Sequence, residues 1–136
     1  MNIRSAEPAD AATVLEFFVA YAEPSLTDTA DVVTGLLAHP TTRVLLAEDG
    51  NEVVGTVIAA WDGWRGSLYH LAVAATRRRE GIARSLIGAA EEWLRACGCR
   101  RVNALVMDDH DYATATWRAA GYEPTPRMSR YVKMLP

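Results

Sequence analysis

This chain has no basic excess. Fourteen Lys and Arg stand against seventeen Asp and Glu, giving a formal net charge of -3 and a pI of about 5.6. Proteins that grip a phosphate backbone draw most of their affinity from a positive surface, so no nucleic-acid partner is expected. Long apolar runs are also missing: none approaches the ~20 residues that cross a bilayer, and no membrane association is expected. The first residues, "MNIRSAEPAD", have neither the apolar core of a signal peptide nor transit-peptide character. Cysteine is scarce, with only Cys97 and Cys99. They lie too close together to staple a fold, and no histidine sits near enough to complete a zinc site, so they read as packing residues in a reduced, cytoplasmic protein with no metal. Linkers, low-complexity tracts and repeats are absent too. The 136 residues therefore read as one domain, 1–136, with a real core.

Half of the residues are hydrophobic, and their spacing alternates between two periods. "NIR" reads as a short first strand. "AEPADAATVLEFFVAYAE" begins like a helix, with Pro8 in the first turn, an early Asp10, and Val14, Leu15, Phe18 and Val19 on one face. "DTADVVTGLLAHP" reads as a second helix stopped by Pro40. "TRVLLAE" and "EVVGTVIAAW" are strands joined by a "DGN" hairpin turn, and "SLYHLAV" is a further strand. From Ile82, apolar residues recur at Leu86, Ala90, Trp93, Leu94 and Cys97 until Gly98, while Arg84, Glu91, Glu92 and Arg95 take the wet face. "RRVNALVM" is the next strand, "DYATATWRAA" a short helix ended by Gly121, and "RYVKML" a last strand. The order β-α-α-β-β-β-α-β-α-β describes a mixed α/β sheet.

The segment "ATRRREGIARSL" joins the fourth strand to the long helix. A helix N-terminus exposes unpaired amides and a partial positive charge, which a phosphate satisfies. Gly81 permits close approach of the backbone, Ala83 is nearly as small, and Arg78, Arg79 and Arg84 add charge. The spacing Arg78-x-x-Gly81-x-Ala83 is neither a Walker loop nor a dinucleotide fingerprint.

"LAVAATRRREGIARSLIGAAEEWL" resembles the acetyl-CoA-binding segment of the GCN5-related N-acetyltransferase (GNAT) superfamily. "HDYATATWRAAGYEP" is similar to the later family motif, and "GTVIAAWDGWRGSLYHLAV" to the middle strands of small single-domain bacterial members. The likeness runs from about Val44 to Leu135. It implies an α/β (α+β) fold, a mixed central sheet of about six to seven strands with four helices, splayed between strands four and five. It further implies acetyl-CoA as cosubstrate and direct attack of an amine on the thioester, with no covalent enzyme intermediate. Pantetheine would lie against the backbone of Leu71 and Val73. The pyrophosphate would sit on amides from Arg79 to Arg84, including Gly81, Ile82 and Ala83.

Two family positions differ here. His110 stands where asparagine is common, and Trp117 where a tyrosine usually protonates the departing thiolate; both would still lie along the cofactor. An indole N–H donates a hydrogen bond but no proton, so His110 and Tyr112 are alternative acids. For the base, the family often places an acid or histidine at the position held by Tyr69. His70 is adjacent and would face the other way in a regular strand, unless a bulge near Leu71 reverses it. A water relay ending on Asp62 is a third route. Acids beside aromatics suit a cationic acceptor, and the first two helices and the turn after the third strand offer Phe17, Tyr21, Glu23, Trp61, Asp62, Trp64 and Arg65. The rival readings are transfer of another acyl group and an acyl-CoA-binding module without turnover. The sequence does not fix an oligomeric state, although an exposed final strand could pair across a homodimer.

Overall fold

The computed structural model of the chain describes residues 1–107 and 109–136. It comprises two compact units, Met1–Leu105 and Val106–Pro136. The first unit holds a five-stranded sheet in the order β1-β2-β3-β4-β5: β1 Asn2–Ser5, β2 Thr42–Asp49, β3 Glu52–Trp61, β4 Gly66–Val73 and β5 Val102–Ala104. The first three pairings are antiparallel and the last is parallel. Helices α1 (Ala11–Tyr21) and α2 (Ala30–Ala38) precede β2, and α3 (Ile82–Ala96) makes the crossover from β4 to β5 that a parallel pair requires.

The central strands are buried on both faces. Val44–Ala47 and Val54–Ala59 are covered throughout, as their β-branched and apolar composition demands. On one face Val14, Phe18 and Val33 of α1 and α2 pack onto Val44, Leu46 and Ile58. On the other lies α3, which approaches so closely that a Cβ on Gly55 would meet Ile82 and Leu86 at 2.9 Å. Gly66 is hemmed in likewise by Leu94 and the Cys99 thiol.

The buried stripe of α1 is Val14, Phe17 and Phe18 rather than the expected one. Val19 is 73% exposed, because at 100° per residue it lies on the far side of the helix from Val14 and Phe17. The sheet also falls short of the expected six to seven strands. Among the described residues it has five, alongside the four expected helices. "RRVNALVM" contributes only Val102–Ala104, since β5 meets β4 only at Gly66, Ser67 and Leu68. "RYVKML" forms no strand: Tyr131, Val132 and Leu135 are exposed, and a strand without a partner has no ladder to hold it.

The second unit contains α4 (Asp111–Ala119). The His110 ring caps it by accepting a hydrogen bond from the Ala113 N–H at 3.1 Å. Gly121, at φ +93°, turns the chain out of it.

Candidate active site

Strand β4 outruns its neighbour. The last β4–β5 pair is Leu68 with Ala104, and from Tyr69 to Val73 that edge has no strand partner among the described residues. The pairing ends there because β5 itself ends at Ala104. Ala74 donates to the Val54 carbonyl at 2.9 Å on the β3 side. Alternation along the strand therefore turns the N–H and C=O of Val73 and Leu71 toward the open side.

The open edge leads straight into the arginine turn. Arg77 is drawn back from it: its guanidinium binds Glu80 at 3.0 Å and Asp49, at the end of β2, at 2.9 Å. That pairing ties the turn to the β2–β3 hairpin and occupies Glu80, the only acid between Ala74 and Arg84. Arg79 and Gly81 adopt left-handed backbone, with φ +68° and +84°. Helix α3 then begins with no capping side chain and no acid in its first turn. The amides of Ile82, Ala83 and Arg84 thus open the helix uncapped. The space above Gly81 is empty to 4 Å, so its glycine is required by φ rather than by crowding. Ile82 and Ala83 are buried, whereas Arg78, Arg79 and Arg84 are exposed.

Midway along β4 the register slips. Thr56 pairs with Ala72 but Ile58 pairs with Tyr69, so β4 carries one residue more than β3 over this stretch. The bulge falls at His70, whose φ is +48°. It turns the His70 ring to the same face as Tyr69. There the ring meets the Phe18 ring edge-on at 4.8 Å, and Nε2 lies 2.8 Å from Asp28 Oδ2. Thr56, the only buried polar or charged residue among the described ones, donates its hydroxyl proton to the His70 carbonyl at 3.2 Å. The bulge that would reverse His70 is therefore present. Asp28 and Thr56 carried no expectation. Nothing local marks Asp28, 42 residues from His70 in the chain, but a polar residue inside the apolar run of β3 is a readable signal.

The residues expected around an acceptor are dispersed. Tyr21 stacks on Phe17 at 4.7 Å at the end of α1. Trp61, Asp62 and Trp64 lie at or beside the β3–β4 turn, at the opposite end of β4 from the arginine turn. Asp62 Oδ1 accepts the Trp64 and Arg65 amides at 2.8 and 2.7 Å, and these bonds, Arg65 first, hold its carboxyl below the usual range. The Arg65 guanidinium lies 3.8 Å over the exposed Trp64 ring. In the second unit Trp117 is 6% exposed and packs edge-on to Tyr122 at 4.9 Å.

Known structures share this architecture. An aminoglycoside 6'-N-acetyltransferase, AAC(6')-IG from Acinetobacter haemolyticus, is 23% identical over the whole of both chains, with a TM-score of 0.83. AAC(6')-Iy in complex with the bisubstrate analog CoA-S-monomethyl-acetylneamine is 19% identical over 98% of each chain, at 0.82. A protein from Clostridium acetobutylicum described as a predicted acetyltransferase, with acetyl-CoA, is 14% identical over 96% of this chain and 95% of its own, at 0.80. The sequence profile of the Acetyltransferase (GNAT) family matches residues 11–122. With that match over most of its length, the chain belongs to the GNAT acetyltransferase family and is a transferase.

Proposed function

We propose that the protein transfers an acetyl group from acetyl-CoA to a primary amine, by direct attack within a ternary complex. The observation that carries this reading is the open edge of β4 running into an uncapped, acid-free helix N-terminus. The amides of Gly81, Ile82, Ala83 and Arg84 hold the pyrophosphate, with Arg78, Arg79 and Arg84 supplying charge. Backbone groups of Leu71 and Val73 bond the pantetheine amides. Fixing the thioester this way makes the attack effectively unimolecular. An ammonium of pKa near 10 must shed a proton first, and His70, with Tyr69 beside it, is the acceptor placed where the sheet opens. The leaving thiolate belongs to a thiol of pKa ~8.5 and departs without a strong acid. Trp117 and His110 then act by shape and capping rather than by proton donation.

The acceptor is a cationic amine, and of the residues expected to receive it Tyr21 is the one at the cradle end of β4, through Phe17, which packs with Ala72 and Ala74; Trp61, Asp62 and Trp64 lie at the other end of the strand and take no part in this reading. The similar enzymes named for aminoglycosides make polyamine sugars the first class to try. The setting is cytoplasmic, in keeping with two free thiols. A homodimer that covers the exposed Tyr131, Val132 and Leu135 belongs to the same reading.

Release of free thiol from acetyl-CoA across an amine panel, aminoglycosides included, tests the proposal. We expect at least one amine to raise thiol release well above hydrolysis. Acetyl-CoA binding with no turnover would favour instead a binding module, the reading to which the buried indole of Trp117 lends support. Turnover only with another acyl-CoA would move the donor and leave the site.

A further inference from the structure

His70 is held by more groups than packing requires. Its backbone adopts a left-handed conformation that a residue with a Cβ rarely takes, and such strain persists only where surroundings impose it. Its carbonyl takes the hydroxyl of a fully buried threonine. Its ring is fixed from one side by Phe18 and at one nitrogen by Asp28, from the loop between α1 and α2. The two polar side chains keep only 16% and 15% of their surface exposed.

An ionised carboxylate can only accept a hydrogen bond. Nε2 of His70 must therefore carry the proton shared with Asp28, which leaves the lone pair of the neutral ring on Nδ1. No partner bonds Nδ1 among the described residues, and no side-chain nitrogen or oxygen there is both buried and unpartnered. Nδ1 is thus not sealed in the core, and it lies two residues past the last pair that joins β4 to β5.

We propose that Asp28 is a positioning residue that fixes His70 as the Nε2–H tautomer, so that Nδ1 is the atom that takes the proton from the acceptor amine. This rests on the acetyl-transfer reading above. The ammonium gives one proton to Nδ1, and the free amine then attacks. The N–C bond forms as the C–S bond breaks, and the second amine proton ends on sulfur. The products are the amide and the thiol, and the proton on His70 passes to solvent. Asp28 holds the ring through Nε2 and so fixes the direction in which Nδ1 points.

Two measurements test this. Long-range 1H–15N spectra of the unliganded protein at about pH 8 read the tautomer of His70, assigned against His70→Gln. We expect Nε2–H in the wild type and a mixture of tautomers in Asp28→Ala. Steady-state kinetics use acetyl-CoA and the best amine of the panel. Asp28→Asn should lower kcat on the order of tenfold with KM for acetyl-CoA within about twofold, Asp28→Glu should recover part of the loss, and His70→Gln should cost about a hundredfold. In the His70→Gln background, Asp28→Asn should change kcat by less than about twofold. Nδ1–H in the wild type, or losses that multiply in the double variant while both single variants melt normally, would overturn the role of Asp28 and leave acetyl transfer standing. A wild type that acetylates no amine would sink the acetyl-transfer reading, and the role of Asp28 with it.

Discussion

Thr56 is a polar side chain in a strand that is otherwise apolar from Val53 to Ala60. A bulge leaves a carbonyl without its ladder partner, and a buried unpaired carbonyl costs about 1–3 kcal/mol. Thr56 meets that need at His70, so one hydroxyl holds the kink on which the ring's direction depends. Val has nearly the shape of Thr and lacks the donor. Thr56→Val is therefore expected to lower stability by about 1–2 kcal/mol in urea melts, with kcat falling further than stability alone explains. Unchanged stability would mean that the carbonyl finds another donor.

The elements that carry their own periodicity were readable in the sequence. Helix α3 shows a wet and a dry face at 3.6-residue spacing, and β2 and β3 are runs of β-branched residues around a turn. Their bounds follow from caps, glycines and prolines close in the chain. Features set by distant partners were not readable. The alternation of "SLYHLAV" predicts opposite faces for Tyr69 and His70, and only the count of β3 residues opposite reveals the extra one. The length of β5 depends on where β4 leaves it, and "RYVKML" needs an edge to become a strand. The candidate cradle was legible because a strand, a glycine and a helix start are contiguous; the pairing of His70 was not, because Asp28 reaches it from 42 residues away. The cradle also yields an experiment on α3. Acetyl-CoA at a hundred times its Kd should stabilise the fold by about 2.7 kcal/mol, a Tm rise of roughly 10 °C. Gly81→Asp meets no atom within 4 Å, so it should cost only about 1 kcal/mol through its left-handed φ. It places a carboxylate at the helix start, where it caps the amides and repels the pyrophosphate. Differential scanning should then show a folded variant with most of the acetyl-CoA shift gone. A full shift would put the cradle elsewhere.

At the scale of the whole molecule, charge ties the N-terminal segment to the sheet. Arg4 on β1 reaches Asp10 at 2.8 Å, just before α1, and Glu48 on β2 at 2.6 Å. Edge strand, first helix and second strand thus share one guanidinium. The hydrogen bonds from Arg4, and then the amide of Glu7, hold the Asp10 carboxyl down at about 2, below its ordinary 3.8. A carboxyl that is more acidic folded than unfolded stabilises the fold fully above the unfolded value, and that contribution disappears as pH falls through the folded one. The window for Asp10 is therefore from about pH 4 down to about pH 2. In the same window the remaining carboxylates protonate, and a chain of net charge -3 at pH 7 becomes strongly positive, which adds self-repulsion. Comparison with Asp10→Asn separates the two effects, because the variant keeps the general charging and lacks the specific pair. Urea melts between pH 7 and pH 2 should show the wild type more stable by a constant margin above about pH 5. That margin should shrink steadily below pH 4. A margin that persists unchanged to pH 2 would mean that the carboxylate charge of Asp10 does not hold β1 and α1 together, and that its hydrogen bonds alone suffice.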